Sequence, residues 1–140
     1  MNAKSVTLTF VRQPLLIRVS EFRGEQRLDI RHCFYDEAGE LIPLKNKGVN
    51  IPLADASNLV EAVKQTLDNG QEVYPDISVS KPIATKASLF RGERRLDIRH
   101  HWDKNGKLIP LKAGVNLPAK FGSNLLVALD DVLSSVKVAA

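Results

Sequence analysis

Apolar and polar side chains alternate along residues 26–35. Leu28 and Ile30 fall on one side of an extended chain and Arg27 and Asp29 on the other, because successive side chains of a β-strand point to opposite faces of a sheet. The pattern therefore predicts a strand with one face in a core and one face in solvent.

Further short strands are predicted on both sides of this one. Gly24 and Gly39 mark turns, because glycine tolerates the positive φ that a tight hairpin needs. Pro43 interrupts a short apolar run, which indicates an edge strand or a strand end. The predicted strands are Ser5–Val11, Leu15–Phe22, Gln26–Tyr35 and Leu41–Leu44, after which a turn at Lys45–Gly48 leads into Val49–Ile51.

An amphipathic helix is predicted after the strands. Leu59, Val63 and Leu67 recur at helical spacing, and the pattern stops at Gly70. A later helix carries a wider apolar stripe than one small sheet needs, so we expect the two helices to pack on each other. The predicted helices run from Ala54 to Leu67 and from Phe121 to Val136.

The whole pattern occurs twice. Residues 22–32 read FRGEQRLDIRH and residues 90–100 read FRGERRLDIRH, so ten of eleven positions agree at an offset of 68. The match continues from GELIPLKNKGVNIP at 39–52 to GKLIPLKAGVNLP at 106–118. The chain is therefore an internal duplication.

Two copies predict a paired architecture rather than a solenoid. Each half, at about 70 residues, lies near the lower limit for an independent core, so the halves are expected to need each other. We predict an α+β fold of two β-β-β-β-α repeats, residues 1–69 and 70–140, with an extra leading strand as an option. The repeats are expected to form an intramolecular pseudo-dimer, and further association of chains stays open.

The composition is that of an ordinary soluble protein, with 44% apolar and 26% charged residues. No apolar run approaches the roughly 20 residues of a membrane span, and the first residues lack the apolar segment of a signal peptide. Cys33 is the single cysteine, which fits a reducing compartment. We expect a protein of the cytoplasm, nucleoid or nucleus that is not secreted and has no membrane partner.

Positive charge is concentrated in the second copy. Residues 90–114 hold seven basic and three acidic residues, a net charge of +4, whereas residues 22–48 hold five of each. A surface of one sign raises the local concentration of ligands of the opposite sign. A solvated surface of mixed charge is the alternative explanation.

These segments resemble the single-stranded-DNA-binding core of the positive cofactor four family of transcriptional coactivators. The resemblance rests on FRGE(Q/R)RLDIRH with a following aromatic residue (Phe34, Trp102), on IPLK with its Gly-Val, and on the closing helix. Members of that family are similar in having a curved four-stranded antiparallel sheet backed by one helix, paired as a homodimer whose grooves bind unpaired DNA. The resemblance implies that one chain here makes both halves of such a dimer.

The family's properties imply a partner and a set of binding residues. The expected partner is single-stranded DNA, with RNA as an alternative, in transcription or in DNA replication, recombination and repair, and with proteins of those processes as further partners. The implied binding residues are Phe22, Arg23, Arg31, Phe34, Lys45 and Lys47 in the first copy and Phe90, Arg91, Arg99, Trp102 and Lys112 in the second.

Several positions depart from the family's pattern. Glu25 and Glu93 are acidic where a basic residue is common, and Ala113 stands where the first copy has Lys47. A basic residue before the short-strand proline is replaced by Ile42 and Ile109, and an aromatic near the helix start by Ala56 and Gly122. The departures concern affinity rather than fold.

Some of these residues also fit structural roles. Phe34 shares the alternation of Leu28 and Ile30, so it could be a core residue. Asp29 and Asp97 are expected to orient the neighbouring arginines through ion pairs.

The sequence also bears on metal binding, catalysis and protein interaction. His32 beside Cys33 lacks the spacing of a zinc site, so we expect no metal and no cofactor. No catalytic motif occurs in both copies, so we expect no enzyme. The competing function is a protein-interaction scaffold that kept the fold and lost its groove.

Overall fold

Two antiparallel sheets and two long helices make up the fold. The computed structural model describes the backbone of residues 4–139 and the side chains of residues 4–136. The first sheet has four strands in sequential order and the second has three, so the predicted α+β class is confirmed. The strands are β1 (Val6–Leu8), β2 (Leu15–Phe22), β3 (Glu25–Tyr35), β4 (Leu41–Pro52), β5 (Ile83–Phe90), β6 (Glu93–Lys104) and β7 (Lys107–Pro118). The helices are α1 (Ala56–Asn69) and α2 (Gly122–Ala139).

The alternation of the long strands separates a core face from a solvent face. Leu28 and Ile30 of β3 are fully buried, as are the equivalent Leu96 and Ile98 of β6. We call the sheet face that carries these residues the inner face, and the face that carries Arg27, Asp29 and Arg31, or their equivalents at 95, 97 and 99, the outer face. The two inner faces and the helices share one apolar core.

The predicted turn at Lys45–Gly48 is wrong, because β4 runs without a break from Leu41 to Pro52. Residues 44–47 instead bulge outward between the pairs Cys33–Pro43 and Arg31–Gly48. Pro43 does not end the strand, because the N–H of Cys33 donates to the oxygen of Pro14 (2.8 Å) rather than to β4. Cys33 and Pro43 are thus a non-hydrogen-bonded pair, in which the missing N–H of proline costs the β3–β4 ladder nothing.

The leading strand is present in the first sheet and reduced in the second. β1 pairs with β2 through three residues, whereas the second sheet has a single bridge between Val73 and Thr85. Pro75 lies two residues after Val73, where β1 has Leu8, and proline has no N–H to donate to a ladder. The four strands predicted for each repeat are therefore found in the first sheet, counting β1, and not in the second.

The helices pack across the halves. α1 lies most closely against β5 of the second sheet, and α2 lies against β1 and β2 of the first. α1 and α2 also contact each other, as predicted. Gly122 allows this contact, since a Cβ there would come within 2.6 Å of the Leu67 side chain. None of the helices among residues 4–139 is long and apolar enough to cross a membrane.

A polar pair joins α1 to the second sheet. The hydroxyls of Thr66 and Thr85 are 2.7 Å apart and buried, and the Thr85 hydroxyl also donates to the oxygen of Ala62 (3.2 Å). At the equivalent positions α2 has Val132 and β2 has Ile17, both fully buried. The two helix–sheet contacts thus differ in chemistry.

Candidate nucleic-acid interface

The hairpin tips of the two sheets carry exposed aromatic rings with a cation above them. Arg23 and Arg91 follow Phe22 and Phe90 in two-residue turns, and their guanidinium carbons lie 5.1 and 5.2 Å from the preceding ring centroids. These distances are within the range of a cation–π contact. Each half thus exposes a flat apolar surface beside a positive charge.

The tip arginines have an unusual backbone conformation. Arg23 has a φ of 53° and Arg91 a φ of 52°, in the left-handed region that costs a non-glycine residue roughly 1–2 kcal/mol. Asn105 has a similar φ of 54° in the β6–β7 turn, where asparagine is the favoured residue. Both copies have an arginine at this strained position. Strained backbone conformations are usually retained at functional sites, so the conformation points to a function of the arginine side chains.

Hydrogen bonds fix the side chains of Arg31 and Arg99 on the outer face. Arg31 Nη2 lies 2.9 Å from Asp29 Oδ1, and Arg31 Nη1 donates to the oxygen of Leu44 (2.8 Å) in the bulge. Arg99 repeats these bonds with Asp97 (2.9 Å) and Leu111 (2.8 Å). The ion pairs expected for Asp29 and Asp97 are therefore present, and the arginines fix the shape of the bulges.

The glycine after each bulge allows the strand to return to the sheet. A Cβ on Gly48 would come within 2.8 Å of the Ile30 oxygen, and one on Gly114 within 2.7 Å of the Ile98 oxygen. These contacts are closer than a side chain tolerates, so both positions require glycine. The Gly-Val pair that follows IPLK in both copies has this structural cause.

The bulges carry the predicted lysines. Lys45 and Lys47 are exposed in the first bulge, and Lys112 is exposed in the second. Residues 44–47 form the first bulge and 111–113 the second, so the first is one residue longer. The shorter bulge ends in half-buried Ala113 and offers one lysine where the first offers two.

Phe34 and Trp102 lie outside the core, with 43% and 50% of their surface exposed. The Lys104 ammonium lies 5.8 Å from the Trp102 ring centroid, whereas the residue equivalent to Lys104 in the first copy is Asp36. The register of the β3–β4 pairing shifts between Arg31 and Cys33, and Phe34 follows this shift.

A shallow depression lies between tip and bulge on the outer face. In the first half it has a volume of about 330 Å³ and is lined by Arg18, Ser20, Asp29, Arg31, Pro43, Lys45 and Asn50. We call this surface the first groove. The equivalent positions, which we call the second groove, are Lys86, Ser88, Asp97, Arg99, Pro110, Lys112 and Asn116.

The sequence interpretation missed the asparagine that supports each groove. Asn50 Nδ2 donates to Asp29 Oδ1 (3.3 Å), and Asn116 Nδ2 donates to Asp97 Oδ1 (3.1 Å). Arg27 and Arg95 in turn donate to the side-chain oxygens of these asparagines. The alternation on β3 and β6 places these arginines on the same face as the aspartates. It could therefore have indicated a polar residue that bonds to both.

His32 connects the two halves. Its Nε2 accepts a hydrogen bond from the backbone N–H of Asn116 (3.1 Å), and its Nδ1 donates to the oxygen of Gln13 (3.2 Å). Burial lowers the pKa of His32 below the ordinary 6.5, and Lys47 acts in the same direction. Burial also lowers the pKa of His100, whose Nδ1 contacts the oxygen of Lys81 (2.8 Å). Within residues 4–139 no three His, Cys, Asp or Glu side chains are grouped to hold a metal ion.

Comparison with known proteins gives one partial similarity. No protein-family model matches the chain. A stretch of 64 residues is 40% identical to an RNA polymerase II transcriptional coactivator of Drosophila melanogaster. The matched stretch covers 46% of this chain and 54% of that protein. The chain thus spans about half the length of the relative that it matches, and the similarity is to a coactivator of the kind that the sequence motifs indicate.

Proposed function

We propose that the chain binds single-stranded nucleic acid, DNA in the first place, and acts in transcription. The observation that carries the proposal is the set of exposed rings with a cation above them at Phe22, Phe90 and Trp102. Proteins that bind single strands combine aromatic rings, on which bases stack, with positive groups along the backbone. The partial similarity to a transcriptional coactivator supports the process.

The binding mechanism follows from the chemistry of the outer face. Bases stack on the tip rings, and the adjacent arginines and the bulge lysines neutralise phosphates. Arg31 and Arg99 are already bonded to carboxylates and carbonyl oxygens, so their contribution is to hold the bulge lysines in position. Paired bases cannot stack on the rings, so an unpaired strand is preferred over a duplex.

The second half is proposed to bind more tightly than the first. The hairpin beside Phe34 carries Asp36, Glu37 and Glu40, a net charge of −3, whereas the hairpin beside Trp102 carries Asp103, Lys104 and Lys107, a net charge of +1. A phosphate near Phe34 meets like charge, and one near Trp102 meets opposite charge. A strand therefore engages the second half first.

Fluorescence of Trp102, the one tryptophan, provides the test. Titration with an unstructured oligonucleotide should quench the emission, and a duplex of the same length should change it far less. The logarithm of the affinity should fall linearly with the logarithm of salt concentration, with a slope of about 0.7 per neutralised phosphate.

An equal response to duplex and single strand would contradict the preference for unpaired bases. Binding that stays undetectable at low salt would overturn the proposal. The protein-interaction scaffold would then remain as the function of the fold.

A further inference from the structure

We propose that Lys86 contacts the bound strand in the second groove, whereas the equivalent Arg18 supports the structure of the first. The inference rests on the proposed function and adds a residue to it. Neither residue belongs to the set of binding residues that the sequence motifs imply.

The two residues occupy equivalent positions. Arg18 pairs with Asp29 across β2 and β3, and Lys86 pairs with Asp97 across β5 and β6. Directly paired residues of antiparallel strands share a face, so both side chains lie on the outer face. Each is a cation beside the carboxylate of its groove.

Arg18 is bound to that carboxylate. Its Nε donates to Asp29 Oδ2 at 3.1 Å, and the Asp29 side chain is only 3% exposed. A carboxylate so far from water needs charged partners, because its desolvation is costly without them. Arg18 is one of the two arginines that supply this compensation, the other being Arg31.

Lys86 has no such partner. Among the side chains described for residues 4–136, Asp97 is paired with Arg99 and not with Lys86. Asp97 is 17% exposed, so water supplies part of the solvation that Arg18 gives to Asp29. Lys86 is itself exposed, and its ammonium is available to an anion from solution.

The position of Lys86 fits a phosphate of the proposed strand. Lys86 and Phe90 are four residues apart on one face of β5, about 13 Å at the usual rise of a strand. Arg99, which positions the Lys112 bulge, lies on the same face of β6. The equivalents of Lys86 and Lys112 in the first half line one depression, so a strand that stacks on Phe90 and reaches Lys112 comes near Lys86. An ammonium suits a phosphate as a compact point charge.

A matched pair of substitutions tests the assignment. Lys86→Gln removes one positive charge from the second groove, and Arg18→Gln removes one from the equivalent position of the first groove. Affinity for a thymidine oligonucleotide is measured against salt concentration, and the midpoint of thermal unfolding is measured in parallel. Lys64→Gln, on the exposed side of α1, serves as the control for net charge.

Lys86→Gln should lower the salt slope by about 0.7 and weaken affinity several-fold at low salt, without a change in the unfolding midpoint. Arg18→Gln should lower the unfolding midpoint and keep the salt slope, and Lys64→Gln should change neither. If Arg18→Gln does not fold, Arg18→Lys replaces it and should also keep the slope.

A wild-type salt slope in Lys86→Gln would overturn the inference, as would an equal loss of slope in both groove variants. Wild-type protein that binds no oligonucleotide would overturn the proposed function itself. The two failures are therefore distinguishable.

Discussion

Asp29 and Asp97 lie at equivalent positions of the two grooves, and their surroundings differ. Asp29 is covered by Arg18 in addition to the arginine and asparagine that both grooves share. Asp97 lacks the corresponding bond, since Lys86 stands in the place of Arg18. The arginine and asparagine bonds to the aspartate are thus common to both grooves, and the bond from Arg18 distinguishes the first.

The β-hairpins beside the aromatic rings also differ between the halves. The first has a five-residue loop, residues 36–40, in which Asp36 Oδ1 accepts the Glu40 N–H (2.9 Å). The second has a two-residue Asn105-Gly106 loop with Asp103 accepting the Gly106 N–H (2.8 Å). Each loop is stable by its own hydrogen bonds, so the surrounding charges could change without loss of the hairpin.

The largest expected effect tests the shared backbone. Gly48→Ala and Gly114→Ala should each destabilise the protein by about 1–3 kcal/mol, because the new Cβ would overlap a carbonyl oxygen of the neighbouring strand. Urea unfolding monitored by circular dichroism measures the loss. A large loss from one glycine and none from the other would show that the bulges are not equivalent.

The next effect separates the halves by binding. Trp102→Ala should weaken binding of a single strand by about 1–3 kcal/mol, the usual contribution of one stacked base. Phe34→Ala should weaken it less, because the hairpin loop that follows Phe34 carries three acidic residues. Fluorescence anisotropy of a labelled oligonucleotide measures both variants, and equal losses would contradict the unequal roles of the halves.

A smaller effect concerns the two helix–sheet contacts. Thr85→Val should cost about 1 kcal/mol, because the Thr66 hydroxyl loses a buried partner. The double variant Thr66→Val with Thr85→Val should cost less than the sum of the single variants, since it approaches the apolar chemistry of Val132 and Ile17. Additive losses in urea unfolding would show that the hydroxyls act independently.

The smallest expected effect is a dependence of stability on pH. The pKa values of His32 and His100 are lowered in the folded state, so the unfolded chain binds more protons as pH falls. Stability should be full above pH 6.5, the ordinary value, and should decline below it. His32→Gln should flatten the decline more than His100→Gln, because His32 is buried and bonded to the other half, whereas His100 is only partly buried.

Measurement of the urea midpoint between about pH 7.5 and about pH 5.0, an interval that contains the ordinary histidine pKa of about 6.5, gives the slope for each variant. A larger contribution from His100 would show that the deeper burial of His32 does not give it the larger fall in pKa.

The sequence was sufficient to predict the long strands, the two helices and the contact between them, but not the full course of β4 or the three strands of the second sheet. Alternation at Leu28 and Ile30 and the helical spacing at Leu59 and Val63 are local signals, and the structure confirms both. Duplication predicted one shared core, because neither half has enough apolar surface alone.

The sequence did not predict the bulges or the positions of the charged groups within the site. The bulge depends on bonds from Arg31 to carbonyl oxygens thirteen or more residues away, which no local pattern encodes. The apolar stripe of a helix shows that one face is buried but not which sheet covers it. The exposure of Phe34 depends on where the core ends, because its alternation alone places it with buried residues.

The exchange of helices between the sheets has a consequence for synthesis of the chain. The inner face of β1 and β2 is covered by α2, which follows all seven strands and α1 in the chain. The first sheet therefore waits, with its apolar side chains uncovered, until about a hundred further residues have been translated. It thus cannot be covered as soon as its own strands have been made, and a chain truncated before Gly122 would leave its first half without its covering helix.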